Sequence, residues 1–169
     1  MNKNKIVFTF ATAEVNFIGQ IFIKITELLT GKLKLKKLYD EYLSENRPPE
    51  LFWDDAVDKL NFTLITNFQD GSYIPKKGKL IVIANHAFGV ADGVSICSAI
   101  SKVRQDYKMV THKVLRQAEA VKDKILPIDF NENREALLTN INTRKEAEKV
   151  LQNEGCLLYT SPSPRDQAK

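Results

Sequence analysis

The chain has 169 residues, 43% of them hydrophobic and 27% charged, with a formal net charge of +4. This size and composition predict one globular domain with a real core and exclude a disordered or fibrous chain. The charge is modest and the lysine cluster lacks interleaved aromatic residues, so we expect no nucleic-acid partner. Two cysteines, Cys97 and Cys156, argue against a disulfide scaffold or a cysteine-ligated zinc site and favour a reducing compartment.

The first 49 residues are predicted to form amphipathic and basic helices. Glu14 and Asn16 interrupt the apolar start, so it is interpreted as a retained segment and not as a signal peptide. Apolar residues share one face over residues 14–29, and a second helix is predicted over residues 32–43, which begins with four lysines. These helices predict contact with an anionic membrane surface, at about 1 kcal/mol per lysine. The alternative is that their apolar faces pack on the domain.

Strands and helices alternate in the rest of the chain. Strands are predicted over residues 61–69, 80–85, 107–112 and 124–130, and Asp70-Gly71 is predicted to form a turn. Helices are predicted over residues 50–60, 92–104 and 133–155. The run 80–85 is continuously apolar, as in a strand buried on both faces, and Leu137, Ile141, Ala147 and Leu151 are predicted to face inward. The pattern predicts an α/β fold in which N-terminal helices precede a mixed, mostly parallel sheet with flanking helices.

The residues that decide the function lie in "IVIANHAFGVADGVS", residues 81–95. His86 follows a predicted strand, at the edge where open α/β sheets bind ligands. The Asp92 carboxylate, beyond the turn that contains Gly89, is placed to fold back and accept a proton from one imidazole nitrogen. That contact would fix the tautomer and leave the other nitrogen as a general base. The alternative is structural, because Asp-Gly before an apolar helix is a common N-cap and a lone histidine at a strand end is often a partly buried polar residue.

The string "IPKKGKLIVIANHAFGVADG" resembles the phospholipid/glycerol acyltransferases, the family that includes lysophosphatidic acid acyltransferases. Their signature is Asn-His, a short spacer and Asp, placed after an apolar strand and an "IP…G" turn. Most members have four spacer residues, whereas this chain has five, Ala87 to Ala91. The longer spacer is similar to the branch that holds lyso-ornithine lipid acyltransferases and hemolysin-like proteins, although a proline commonly follows the histidine there. The resemblance runs from about Leu28 to Gly155.

The resemblance implies a glycerolipid acyltransferase-like fold and transfer of a fatty acyl group from an acyl thioester to the hydroxyl of a lysolipid. His86 would be the general base and Asp92 would orient it. The substrate-binding residues implied are Asn85, Phe88, Gly89 and Gly93. The donor would be acyl carrier protein (acyl-ACP) or coenzyme A (acyl-CoA) carrying the acyl group, with no metal and no tightly bound cofactor. The enzyme would lie peripherally on the cytoplasmic face of the inner membrane.

Two departures from the family pattern affect these expectations. Phe130 follows Asp129 where the family usually has an arginine, which leaves the acceptor contacts of Asp129 and Arg134 unassigned. The family's third block, a glycine-rich strand that ends in Phe-Pro-(Glu or Ala)-Gly, should begin after Gly155. The sequence there, "CLLYTSPSPRD", instead resembles translated sequencing adapter. We therefore expect N-terminal helices over 1–49, the first part of a catalytic domain over 50–155 and a non-native tail over 156–169, in an inactive and poorly soluble fragment.

Two other functions remain open. One is a non-catalytic lipid-binding module of the same fold, which a complete sequence without the Phe-Pro-x-Gly block would favour. The other is a metal-dependent hydrolase that uses His86, Asp92 and His112, which zinc in the purified protein would favour. Three well-placed ligands are hard to assemble from two histidines without a His-x-x-x-His spacing.

Overall fold

The computed structural model describes residues 32–65, 73–85 and 87–161. The helices are α1 (Lys32–Ser44), α2 (Phe52–Leu60), α3 (Val90–Ser101) and α4 (Arg134–Gln152). The strands are β1 (Leu80–Asn85), β2 (Tyr107–His112), β3 (Ile125–Ile128) and β4 (Cys156–Ser161). Short 3-10 helices span Pro49–Leu51, Lys113–Gln117 and Lys122–Lys124. The helix predicted over residues 14–29 and the Asp70-Gly71 turn lie outside the described residues.

The described strands form one sheet in the order β1-β4-β2-β3, and every pair in it is parallel. The α/β architecture with a parallel sheet and flanking helices is therefore confirmed. Helix α3 connects β1 to β2, and α4 leads back from β3 to β4. Because right-handed crossovers that run in opposite directions place their helices on opposite sides, α3 and α4 cover opposite faces of the sheet.

The main core lies on the α3 face of the sheet. Cys97 of α3, Met109 of β2 and Leu158 of β4 are almost completely buried there. Helix α2 closes the same core, and its Trp53 indole N–H donates to the Tyr107 hydroxyl at 2.5 Å. The indole nitrogen thus has a partner in an otherwise apolar environment, as a buried tryptophan requires.

Helix α1 packs into this core by one face. Its Tyr39 and Tyr42 are buried, and their rings meet the edge or face of the Phe52 ring at centroid distances of 6.2 Å and 5.2 Å. On the other face, Lys36 and Lys37 each lie near a carboxylate one turn later, at 2.6 Å and 3.8 Å. Although the sequence pattern groups α1 with the membrane-surface helices, its apolar face is used by the domain itself.

The expectation of a β-strand over residues 61–69 is wrong for its described part, since residues 61–65 are not in a strand. Asn61 instead ends α2 in the left-handed conformation, with φ 56° and ψ 48°, and its N–H bonds back to the helix. Asparagine tolerates this conformation, which makes it a good helix C-terminal residue. Ile65 is 85% exposed, and no described strand pairs with this β-prone segment.

Two expectations about buried faces also need correction. Strand β1 is not buried on both faces, because its side chains alternate and Ile81 and Ile83 are 53% and 70% exposed. On α4, Leu137 and Ile141 are exposed, and the residues buried against the sheet are Ala136 and Thr143. The Thr143 hydroxyl donates to the Pro127 carbonyl at 2.6 Å, so a polar contact with β3 sets the rotation of this helix.

Strand β4 is formed by the first residues of the tail. It lies between β1 and β2, where Cys156 and Leu158 are fully buried. A short apolar run is what a central parallel strand requires, and "CLLY" supplies it. Gly155 before it is needed for space, since a Cβ there would lie 2.8 Å from the Val150 carbonyl oxygen. The adapter-derived origin of these residues stays a prediction.

Arg104 ties together the amino edge of the sheet. Its side chain is fully buried and donates to the carbonyl oxygens of Pro75, Gly78 and Glu154 at 3.1, 2.8 and 3.0 Å. It also makes a two-pronged ion pair with Asp106 at 2.8 and 2.6 Å, and this hydrogen-bonded guanidinium lowers the pKa of the Asp106 carboxyl. One side chain thus joins the turn before β1 and the segments before β2 and β4.

Candidate active site

The turn after β1 lies next to Asp92, one of the two predicted catalytic residues. His86 lies outside the described residues, so its pairing with Asp92 stays a prediction. The turn that follows contains Gly89 at φ 61° and ψ −120°, a conformation that side-chain-bearing residues rarely adopt. No atom lies within 4 Å of a Cβ built there, so backbone conformation and not lack of space requires this glycine.

The Asp92 carboxylate folds back across this turn. Asp92 lies in the first turn of α3, and its Oδ2 accepts the Phe88 N–H at 2.7 Å. The helix N-cap is Gly89 and not Asp92. Asp92 lies within the first turn of the helix, where its negative charge interacts favourably with the helix dipole. Its Oδ1 accepts no hydrogen bond from the residues that the structure describes. One carboxylate oxygen therefore holds the turn through the Phe88 N–H.

An apolar cavity of about 450 Å³ lies between α1, α2, the start of α3 and β2. Its size falls within the range of small-molecule pockets, about 300–1,000 Å³. Its wall is almost entirely apolar and includes Leu35, Leu38, Phe52, Val94, Met109 and Leu115. Thr111 and His112 add polar groups at the carboxyl end of β2. Such a cavity suits a hydrocarbon chain better than a polar ligand.

The predicted substrate-binding residues are placed differently around this cavity. Gly89 and Gly93 line it, and a Cβ at Gly93 would lie 3.2 Å from the Met109 methyl group. Asn85 ends β1 and is exposed. Phe88 is 81% exposed and is not part of the cavity wall. The structure thus brings the two glycines to the cavity and leaves Phe88 facing outward.

Residues of α1 in the cavity wall are not identified by sequence analysis. Leu35, Leu38 and Tyr39 line it, whereas the sequence pattern places them in a membrane-surface segment. Their helical spacing was the available signal, but spacing alone cannot show whether an apolar face meets a membrane or a cavity.

His112 is held as a neutral imidazole at the cavity wall. Its Nδ1 accepts the Val114 N–H at 3.1 Å and caps the 3-10 helix Lys113–Gln117. A nitrogen that accepts carries no proton, so the proton is assigned to Nε2. Burial, followed by the charge of Lys113, lowers the pKa of His112 in spite of Asp129. The ring stacks on that of Phe130, with centroids 5.5 Å apart.

Asp129, at the end of β3, is held by its neighbours. The side chain is 6% exposed and accepts from Lys113 Nζ at 2.6 Å and from the Asn131 N–H at 3.2 Å. The hydrogen bond from Lys113 lowers the pKa of the Asp129 carboxyl. Asn140 of α4 bonds to both the N–H and the carbonyl of Asp129, at 2.9 and 2.8 Å. The Asp129 carboxylate therefore stabilises the chain segments that follow β2 and β3.

Within residues 32–65, 73–85 and 87–161, no group of three or more His, Cys, Asp and Glu side chains is arranged to hold a metal ion. No helix in the same ranges is long and apolar enough to cross a membrane. Comparison of the chain with protein-family models, curated proteins and solved structures found no match.

Replacing His112 with asparagine is expected to reduce the loss of stability in acid. Asparagine keeps an N-cap acceptor and removes the titrating group. The pKa of His112 lies below its ordinary value of 6.5 in the folded chain, so the unfolded chain binds the proton more tightly. The contribution of His112 to the stability of the wild-type chain is therefore present above pH 6.5 and is lost as the pH falls through its lowered pKa. Urea unfolding between about pH 8 and pH 5 should show a shallower decline for the variant.

A second variant tests the capping role separately. His112→Ala removes the cap as well, and should cost about 0.5–2 kcal/mol of unfolding free energy across the whole pH range. Parallel pH profiles for the wild type and His112→Asn would contradict the prediction, because they would show that folding does not change the pKa of His112.

Proposed function

We propose that the protein to which this chain belongs is an O-acyltransferase that moves a fatty acyl group from an acyl thioester to the hydroxyl of a lysolipid. The observation that carries the proposal is the apolar cavity, which reaches the turn over which Asp92 folds back. A hydrocarbon-sized space beside an oriented carboxylate is the arrangement that acyl transfer needs. The Asn-His-spacer-Asp signature supplies the base.

In this mechanism His86 takes the proton from the lysolipid hydroxyl as the oxygen attacks the thioester carbonyl. The tetrahedral intermediate then collapses, the carbon–sulfur bond breaks and the thiolate takes the proton back from the imidazolium. Asp92 orients the imidazole through Oδ1, while Oδ2 stays bonded to the Phe88 N–H. Positioned general-base catalysis of this type contributes about 10²–10⁴-fold. The mechanism needs no covalent acyl-enzyme.

The acyl chain is proposed to lie in the cavity, with its carbonyl near the turn. Gly89 and Gly93 form the wall there, and their lack of side chains lets the reacting group approach the backbone closely. The proposed donor is acyl-ACP or acyl-CoA, and the acceptor class is lysolipids, such as lyso-ornithine lipid or lysophosphatidate. Residues 1–31 and the adjoining lysines are proposed to hold the enzyme on the cytoplasmic face of the inner membrane.

Binding of palmitoyl-CoA tests the cavity directly. The purified chain should bind it saturably in calorimetry, and Leu38→Trp should weaken binding by roughly tenfold or more because the indole fills space that the chain would occupy. Leu43→Trp is the matched control, since Leu43 is on the same helix, is 46% exposed and does not line the cavity. Equal affinities for the two variants would contradict the assignment.

The transfer reaction is tested on the complete gene. Cells that carry it should accumulate the diacylated product of a lysolipid, detected by mass spectrometry of the lipid extract. The purified 169-residue chain is expected to bind palmitoyl-CoA without turnover. Turnover comparable to that of the complete protein would show that the chain is not an inactive fragment.

The same cavity supports a second candidate, a lipid-binding module without catalysis. This function predicts acyl-thioester binding in the complete protein with no new lipid product. Lipid profiles therefore separate the two candidates, whereas the binding measurement does not.

A further inference from the structure

A single charged side chain lies in the wall of the apolar cavity. Lys59, near the end of α2, is the only described residue of that wall with a formal charge, because the His112 imidazole is neutral. Its neighbours in the wall, Ala56 and Leu60, are apolar. A lysine can lay its methylene stem on apolar surface while its ammonium group reaches water. Lys59 therefore gives an otherwise apolar cavity one positive charge.

A carboxylate of the chain itself is already bound to this charge. The Lys59 Nζ donates to Glu45 Oε1 at 2.6 Å. Glu45 lies in the connection between α1 and α2 and is not part of the cavity wall. Its side chain is 43% exposed and that of Lys59 is 23% exposed, so the ion pair is in contact with solvent. The ammonium group at the cavity wall is thus placed to bind a carboxylate.

The segment that carries Glu45 is held on both sides of this residue. The Glu45 N–H bonds to the Glu41 carbonyl at 3.2 Å. Two residues later, the Arg47 Nε donates to the largely buried Asp55 carboxylate at 2.8 Å. The fold therefore places Glu45 beside Lys59. An ion pair this exposed contributes little to stability, so a second carboxylate can replace Glu45 at little cost.

We propose that the cavity binds a long-chain fatty acid, with the carboxylate of the ligand at Lys59 Nζ in place of Glu45 and its hydrocarbon chain along the apolar wall. Each part of this ligand matches a feature of the cavity. The apolar space of about 450 Å³ favours the burial of methylene groups, and the ammonium group favours an ionised acceptor over a neutral one. Binding of the fatty acid concerns the cavity alone and does not depend on acyl transfer.

The fatty acid is expected to compete with an acyl thioester. Both place a hydrocarbon chain against the same wall residues, among them Leu38 and Met109. The carbonyl group of a thioester carries no charge, whereas the head of an ionised fatty acid pairs with Lys59. In an acyltransferase, a free fatty acid therefore weakens the apparent affinity for palmitoyl-CoA. This consequence rests on the proposed function, while the binding itself does not.

Two ligands of equal chain length test the role of the charge. Dodecanoate and dodecanol are titrated into the purified chain at neutral pH, and Trp53 fluorescence reports binding because this sole tryptophan lines the cavity. Lys59→Met keeps the apolar stem and removes the ammonium group, so dodecanoate should bind roughly tenfold more weakly while dodecanol is unaffected. Glu45→Gln removes the competing carboxylate, so dodecanoate should bind about two- to fivefold more tightly.

Lys36→Met and Asp40→Asn are the matched controls, because this pair is also 2.6 Å apart on the surface of α1 but is not part of the cavity wall. Neither variant should change the affinity for dodecanoate. The proposal is overturned if the wild type does not bind dodecanoate, if Lys59→Met binds it as tightly as Lys36→Met, or if Glu45→Gln does not tighten the binding. If Lys59→Met loses dodecanol as well, the cavity itself is disturbed and Glu45→Gln alone decides. Palmitoyl-CoA binding and lipid products are measured separately, so a failure here is distinct from a failure of the proposed function.

Discussion

The complete protein with His86→Ala is expected to transfer acyl groups at least a hundredfold more slowly than its parent, because general-base assistance contributes about 10²–10⁴-fold. Asp92→Asn should also lower the rate, because it removes the negative charge that stabilises the imidazolium. The amide oxygen still accepts the Phe88 N–H, so the turn is expected to persist. The measurement is kcat and KM for product formation, with thermal unfolding of each variant.

Glu135→Gln is the matched control, since Glu135 also lies in the first turn of a helix, α4, which follows β3, and is exposed. It should leave the rate unchanged. A pH profile adds a readout that a purely structural role would not move. Loss of the Asp92 charge should shift the half-maximal rate to lower pH, because the imidazolium loses its counter-charge. If Asp92→Asn matches Glu135→Gln in rate and profile, the pairing with His86 is wrong.

Arg104→Ala is expected to lower the free energy of unfolding by about 3 kcal/mol or more, because the Arg104 side chain is fully buried, although Asp106 is half exposed, and each hydrogen bond of a charged group contributes about 1.5–3 kcal/mol. The loss has a second cause, because three carbonyl oxygens lose their donor at the same time. Arg104→Lys should recover only part of the stability, since an ammonium group cannot reproduce the two-pronged bond to Asp106. Urea unfolding of the purified chain measures all three proteins.

Arg144→Ala provides the comparison for an exposed pair. Arg144 is 83% exposed and bonds to Glu148 one turn later, so its loss should cost only about 0.3–0.5 kcal/mol. Acid adds a further check, because the pKa of Asp106 lies below its ordinary 3.8 in the folded chain. The ion pair therefore contributes stability above that pH and loses it as pH falls further. Equal costs for the two arginines would show that the amino edge does not depend on Arg104.

Sequence patterns were sufficient to predict those features that residues close together in the sequence determine. Strands β1 and β2 have the bounds expected from their apolar runs, 80–85 and 107–112. The Asp92 carboxylate turns back over the Gly89 turn and accepts the N–H of Phe88, four residues earlier in the chain. The α/β architecture follows from the alternation of elements.

Other features depended on partners that are distant in the sequence. Leu137 and Ile141 are exposed because Thr143 and Asn140 bond to the end of β3 and rotate α4. The apolar face of α1 became a cavity wall because α2 and β2 lie opposite it. Periodicity determines which side of an element is apolar, and only the packing of the whole chain determines what that side meets. The sequence by itself thus determined the α/β architecture, strands β1 and β2 and the His-Asp signature, while tertiary contacts decided the cavity and the Arg104 cluster.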